Sequence, residues 1–221
     1  MKRFSVNQLV IAALIVSAAF VPSCDKDGDE TETDTITVSG TLTGEYASWD
    51  NVSASFDGGE TWAITSPISN GKFSIELSVP DAKYLELLSE EDFPDEIITS
   101  DKSAKVVEAS FYVRKGNESE WLSLYVVNIS PTVRSSTEVL YWYVDKNVNI
   151  TGEFEVTWEM EDTGEEITDV ETWDMKLIKG WNTAVYIEAY EGNNNTFTIK
   201  TSAVPSNAVW MTESQYWEIY E

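Results

Sequence analysis

Glu120-Trp121-Leu122-Ser123-Leu124-Tyr125-Val126-Val127-Asn128 settles the fold class of this chain. The stretch has no glycine or proline and is rich in β-branched and aromatic side chains, which fit a pleated strand. Successive side chains of a strand point to opposite faces. Leu122, Leu124 and Val126 therefore share one face, and Trp121, Tyr125 and Val127 share the other. Both faces are apolar, whereas a half-solvated sheet alternates apolar with polar residues, so this strand is expected to be covered on both sides. Stretches of the same kind flank it at residues 105–114 and 138–145, with turn signals at Lys115-Gly116-Asn117 and Ser130-Pro131.

The pattern continues in both directions. Upstream, residues 36–42 and 52–56 alternate, and Asp57-Gly58-Gly59 marks a turn. Asn70-Gly71 is a hairpin signature before Lys72-Phe73-Ser74-Ile75-Glu76-Leu77. Val79-Pro80 ends that strand, because proline cannot donate to a ladder. Residues 84–88 read equally as a strand or a short helix, and 89–103 read as a long charged loop around Pro94. Downstream, strands are expected at 148–152, 154–158, 173–178, 181–190, 196–201 and 209–212, with Gly164, Gly180 and Gly192 in the turns between them. Almost no segment carries a 3.6-residue period. The expectation is an all-β fold, an antiparallel β-sandwich or barrel-like sheet of about ten strands.

A weak internal repeat underlies the pattern. Ser39-Gly40 answers Thr151-Gly152, Trp49-Asp50 answers Trp173-Asp174, and Phe73-Ser74-Ile75 answers Phe197-Thr198-Ile199 at the same spacing from the tryptophan. Val79-Pro80 answers Val204-Pro205. The repeats would span 36–88 and 148–213 and be joined by the strands of 105–145, within one β domain at 36–221.

The amino terminus carries an address. Met1-Lys2-Arg3 is basic, Leu9 to Phe20 is apolar apart from Ser17, and Val21-Pro22-Ser23-Cys24 follows. These are the parts of a secretory signal at 1–23. A spanning helix needs roughly 20 apolar residues, more than this run supplies. Cys24 is the only cysteine, and its position resembles the lipobox of bacterial lipoproteins. The resemblance implies that its thiolate takes up a diacylglycerol as a thioether, and more than one acyl chain is needed for a durable anchor. With Cys24 consumed, neither a disulfide nor thiol catalysis remains. Asp25, Asp27, Asp29, Glu30, Glu32 and Asp34 then make 24–35 an acidic tether, similar to the export signal of surface lipoproteins of the Bacteroidota. That likeness implies an outer-membrane location facing the cell exterior, with the membrane as partner through the lipid. The Gly71-to-Pro80 pattern is loosely similar to the strand ends of transthyretin-like modules. Together with Leu177-Ile178-Lys179-Gly180-Trp181-Asn182 it resembles lipoproteins of gut Bacteroidota, a likeness that implies no activity.

Composition excludes several chemistries. The chain has 39 acidic and 14 basic residues, for a formal net charge of −25, so phosphate backbones are repelled and nucleic acid is not an expected partner. There is no histidine, which excludes Ser-His-Asp triads and histidine-ligated zinc. Asp25-Lys26-Asp27-Gly28-Asp29 opens like an EF-hand loop, but Glu30 stands where the turn glycine belongs and Ile36 where the bidentate glutamate belongs. Asp162-Thr163-Gly164 lacks the partner triplet of an aspartic protease. Acidic loop residues such as Asp92, Asp95 and Glu96 read as solvated, and no metal or other cofactor is expected. No carboxylate pair is singled out for glycoside hydrolysis. Asp50 and Asp174 read as turn or capping groups.

The candidate ligand-binding residues are Trp121, Tyr125, Tyr141, Tyr143, Tyr186 and Tyr190, whose i,i+2 or i,i+4 spacings put each set on one sheet face. An exposed aromatic row can stack on sugar rings; the same rings inside a core would instead be cross-strand pairs. Thr35, in Asp34-Thr35-Ile36, fits an O-glycosylation acceptor pattern. The expected function is a non-enzymatic surface lipoprotein serving as a binding or accessory module, with glycan or another surface protein as partner. The alternative is a structural or adhesive subunit of a surface complex, and a two-carboxylate hydrolase ranks last.

Overall fold

The computed structural model describes residues 34–88, 93–160 and 163–219. Its strands are β1 (Ile36–Thr41), β2 (Asn51–Ser55), β3 (Ile64–Pro67), β4 (Lys72–Leu77), β5 (Glu86–Leu87), β6 (Ile98–Thr99), β7 (Lys105–Glu108), β8 (Ser110–Lys115), β9 (Glu118–Ile129), β10 (Arg134–Val144), β11 (Val148–Glu159), β12 (Glu166–Leu177), β13 (Gly180–Glu191), β14 (Asn194–Thr201) and β15 (Val209–Thr212). One short α-helix, α1 (Glu213–Glu218), ends the described chain. The fold is all-β, and these residues belong to one compact unit.

The main sheet runs β3-β2-β8-β9-β10-β13-β14-β12-β11-β6, with β15 on β9 and with β7 bridging β5 and β10. The path is open at β3 and β6, so the sheet does not close into a barrel. The sequence leads one to expect antiparallel pairing throughout, and one pair departs from it. β14 inserts between β12 and β13; being antiparallel to β13, it must run parallel to β12. β4 pairs with β1, whereas its sequence counterpart β14 pairs with β12 and β13.

β9 joins two parts of the sheet. Its first half pairs with β8, ending at Phe111↔Leu122, and its second half pairs with β10, beginning at Val139↔Leu124. Leu122 is also paired with Thr212, so β15 occupies the other edge of β9.

Only one of the two apolar rows of this strand is well covered: Leu122 and Leu124 are buried, whereas Trp121 is 39% exposed and Tyr125 and Val127 are half-buried, so the expected cover on both sides is not found along β9. On one face, the separate β1–β4 pair lays Val38, Phe73, Ile75 and Leu77 over Val52, Val113, Leu122, Leu124 and Val139. β4 alternates buried and exposed along its length, the period-2 pattern of a half-buried strand. The turn into β4 is legible in the sequence. Asn70 and Gly71 both adopt positive φ, 52° and 73°, closing a two-residue turn between Ser69 and Lys72. On the opposite face, Val144, Val148, Ile150, Met175, Leu177 and Ile199 lie beneath Leu88, Ile97 and Ala104 from the long connection between β4 and β7. Residues 84–88 resolve into the end of a 3-10 turn and β5, and the expected long loop carries β6 on the edge of β11. This cover reaches only part of the second face. Where it stops, aromatic side chains stay exposed.

Candidate aromatic groove

The uncovered part of the second face is a cleft of about 360 Å³ lined by Trp121, Tyr125, Ser136, Glu138, Tyr186, Glu188, Tyr190, Glu213, Tyr216 and Trp217. The volume lies in the range of small-ligand sites, roughly 300–1,000 Å³. Register builds it. Tyr125, Glu138 and Tyr186 are directly opposed on β9, β10 and β13, so their side chains rise from the same face. Trp121, four residues before Tyr125, and Glu188 and Tyr190, beyond Tyr186, keep the same parity.

The register also corrects two assignments. Even-numbered residues of β10 share the groove face, so Tyr141 and Tyr143 point the other way. Both are 5% exposed and sit in the first core, Tyr141 edge-on to Phe111 and Tyr143 edge-on to Trp181. They are cross-strand aromatic packing and not groove residues. The β10 aromatic on the groove side is Trp142, which the sequence reading passes over. The other four candidates, Trp121, Tyr125, Tyr186 and Tyr190, stand together in the cleft. Thr35 is exposed immediately before β1. Cys24 and most of the acidic tether lie outside the described residues, as do Asp92 and Asp162. Among the described residues no group of acidic side chains is placed to hold a metal ion, and no helix is long and apolar enough to cross a membrane. Asp50 behaves as a turn group, accepting the Gly116 N–H at 2.9 Å, whereas Asp174 lies exposed within β12.

The floor of the groove is a hydrogen-bonded relay. The Trp121 indole donates to Ser123 Oγ at 3.1 Å, and Ser123 Oγ in turn donates to Glu138 Oε1. Tyr190 donates to Glu188 Oε2 at 3.3 Å, and Tyr216 donates to Ser136 Oγ at 3.1 Å. Burial lifts the Glu138 carboxyl, and the Glu188 charge adds to the lift; hydrogen bonds from Ser123 and Tyr125 pull the other way. Burial likewise raises Tyr125, Tyr186 and Tyr190, with Glu138 adding at Tyr125 and Glu188 at the other two; Tyr190 is pushed up to about 12. At neutral pH these phenols are neutral hydrogen-bond donors.

The wall comes from the carboxyl-terminal helix. Thr212 and Gln215 form a reciprocal capping box that starts α1 directly off β15. Tyr216 then lies 4.7 Å from Tyr125, centroid to centroid, at a 31° tilt, and Trp217 packs edge-on against Tyr216 while remaining 57% exposed. The reading of 209–212 as a strand is correct, but it stops before this helix. Thr212-x-x-Gln215 is the sequence signal that marks it. Glu138 and Glu188 are also missing from the sequence-level candidates, although a lone glutamate inside the apolar run of β10 marks a polar face.

On the far side of Trp121 the aromatic surface continues. Tyr112 lies 5.8 Å from Trp121 and Trp62 lies 5.2 Å from Tyr112, with the Arg114 guanidinium 4.5 Å above the Trp62 ring. A second depression of about 610 Å³ shares Trp121 and is lined also by Glu108 and Trp142. Comparison with protein-family models, with curated proteins and with solved structures gives no match for this chain.

Proposed function

We propose that the protein is a non-enzymatic glycan-binding module carried on the outer cell surface by a lipid on Cys24. One observation carries the binding reading. The exposed rings of Trp121, Tyr190 and Trp217 and the half-buried rings of Tyr125, Tyr186 and Tyr216 surround carboxylates and hydroxyls in a single open cleft. Ring faces make apolar contact with sugar rings, and Glu138 and Glu188 supply acceptors for their hydroxyls. Tyr125 and Tyr186 stand two strand spacings apart, about 10 Å, with Glu138 between them on the same face, so a sugar resting on either ring meets the carboxyl. The band through Trp121, Tyr112 and Trp62 extends the platform beyond one sugar unit.

A glycan array probed with the full-length protein tests this. Binding to at least one oligosaccharide class is expected, with a loss of tenfold or more in Tyr125→Ala and no loss in a Val79→Ala surface control. Uniformly blank arrays, or equal binding by Tyr125→Ala, would end the reading. Release of hydrolysed sugar from any bound glycan would overturn its non-enzymatic part. The anchor rests on the basic start, apolar run and sole cysteine of residues 1–24. Cys24→Ala should move the protein from the membrane fraction to the soluble fraction.

A further inference from the structure

We infer that the groove selects glycans bearing a free, protonated amino group, such as de-N-acetylated hexosamine units, over neutral sugars. The inference rests on the glycan-binding reading and sharpens it. Three glutamates, Glu138, Glu188 and Glu213, line the cleft, and no lining residue is basic. Two basic residues are placed on this face by register, both outside the cleft: Arg134, exposed and opposite Tyr190, and Arg114, which lies over the Trp62 ring. A neutral sugar leaves that imbalance untouched. An ammonium group resolves it, because hydrogen bonds between ionised partners are about twice as strong as neutral ones.

The spare capacity exists. An ionised carboxylate offers roughly four lone-pair positions. Glu138 accepts from Ser123 and Tyr125, and Glu188 accepts from Tyr186, from Tyr190 at 3.3 Å and more weakly from Ser136 at 3.5 Å. Both carboxylates therefore retain acceptor positions, and the Glu188 charge disfavours ionisation of Glu138 unless a cation lies between them. The rings point to the same ligand. Aromatic faces carry negative charge density, and a cation held against Tyr or Trp gains about 0.5–2 kcal/mol, depending on how dry the contact is. The separation of Tyr125 and Tyr186 across three strands makes the opening broad, which suits a pyranose ring carrying an amine better than the thin aliphatic stem of a lysine.

The test compares four probes by calorimetry on the full-length protein. They are a fully deacetylated glucosamine oligomer, its N-acetylated counterpart, a cello-oligosaccharide of the same length, and trilysine. The deacetylated oligomer should bind at least tenfold more tightly than the other three. Glu188→Gln should weaken binding of both sugars, and should cost the deacetylated oligomer at least threefold more affinity than it costs the cello-oligosaccharide; an equal loss for the two overturns the inference. Raising the salt to about 1 M, where the Debye length is about 3 Å, should weaken the deacetylated oligomer and leave the two neutral oligomers unchanged, a readout that needs no variant. Equal affinity for amino and N-acetylated oligomers overturns the inference and leaves the glycan reading intact. Trilysine binding as tightly as the amino sugar overturns it in favour of a basic peptide. Failure of all four probes, together with a blank glycan array, removes both.

Discussion

Replacing Glu108 with glutamine should flatten the pH dependence of stability between about pH 4.5 and 7. The Glu108 side chain accepts the Trp142 indole N–H at 2.9 Å. Burial lifts its carboxyl from the ordinary 4.5 up to about 7; the Trp142 hydrogen bond pulls it down, and the charge of Glu138 raises it further. The unfolded chain ionises the same group near 4.5. Between the two values the folded protein holds a proton that the unfolded chain has released. Stability from this group is therefore fully present below pH 4.5 and is lost as the pH rises through 7. A gap of that width, at about 1.4 kcal/mol per unit, corresponds to about 3 kcal/mol once ionisation is complete. Glutamine keeps an acceptor for Trp142 and cannot ionise. Urea unfolding followed by tryptophan fluorescence from pH 4 to pH 8 should show near-equal stabilities at the acid end. At the alkaline end the variant should lead by about 3 kcal/mol. Glu138 is shifted in the same direction and should leave the variant a shallower slope of the same sign. Asp57, held down to about 2 by the Thr61 hydroxyl, and Asp101, lowered by Ser103, act oppositely but below pH 4, outside the window. Parallel curves for the two proteins, or a wild type that gains on the variant as the pH rises, would refute the argument.

Two further outcomes follow from the packing. Trp210 is 6% exposed, meets Phe73 and Phe111 edge-on, and donates to the Ser39 carbonyl at 3.1 Å; Trp210→Ala should cost about 3–5 kcal/mol, against about 1 kcal/mol for the half-exposed Trp121→Ala, both read by urea midpoints. Thr212→Ala removes the capping box and should cost about 1 kcal/mol while speeding amide exchange in 213–218 and leaving β13 protected, with Thr212→Ser restoring both.

The sequence alone was enough for the fold class and for several local features. The two apolar rows of 120–128 announced a strand, and Leu122 and Trp121 part to opposite sides; the cover expected on both faces is present only on the Leu122 side, Leu122 being fully buried and Trp121 39% exposed. Asn70-Gly71 announced its turn, because few dipeptides accept positive φ at both positions. These features depend on neighbours one or two residues away.

The groove depends on register, which no single strand encodes. Tyr141 and Tyr143 look like ligand platforms within their own strand, yet Glu138 stands opposite both Tyr125 and Tyr186 and turns the odd positions of β10 into the core. Only the tertiary structure sets where the cover from the connection between β4 and β7 ends, that β14 slips between β12 and β13, and that α1 brings Tyr216 onto Tyr125. A period of two tells each residue which side it is on relative to its neighbours. Which side meets the core and which stays open is decided by pairings between residues far apart in the chain.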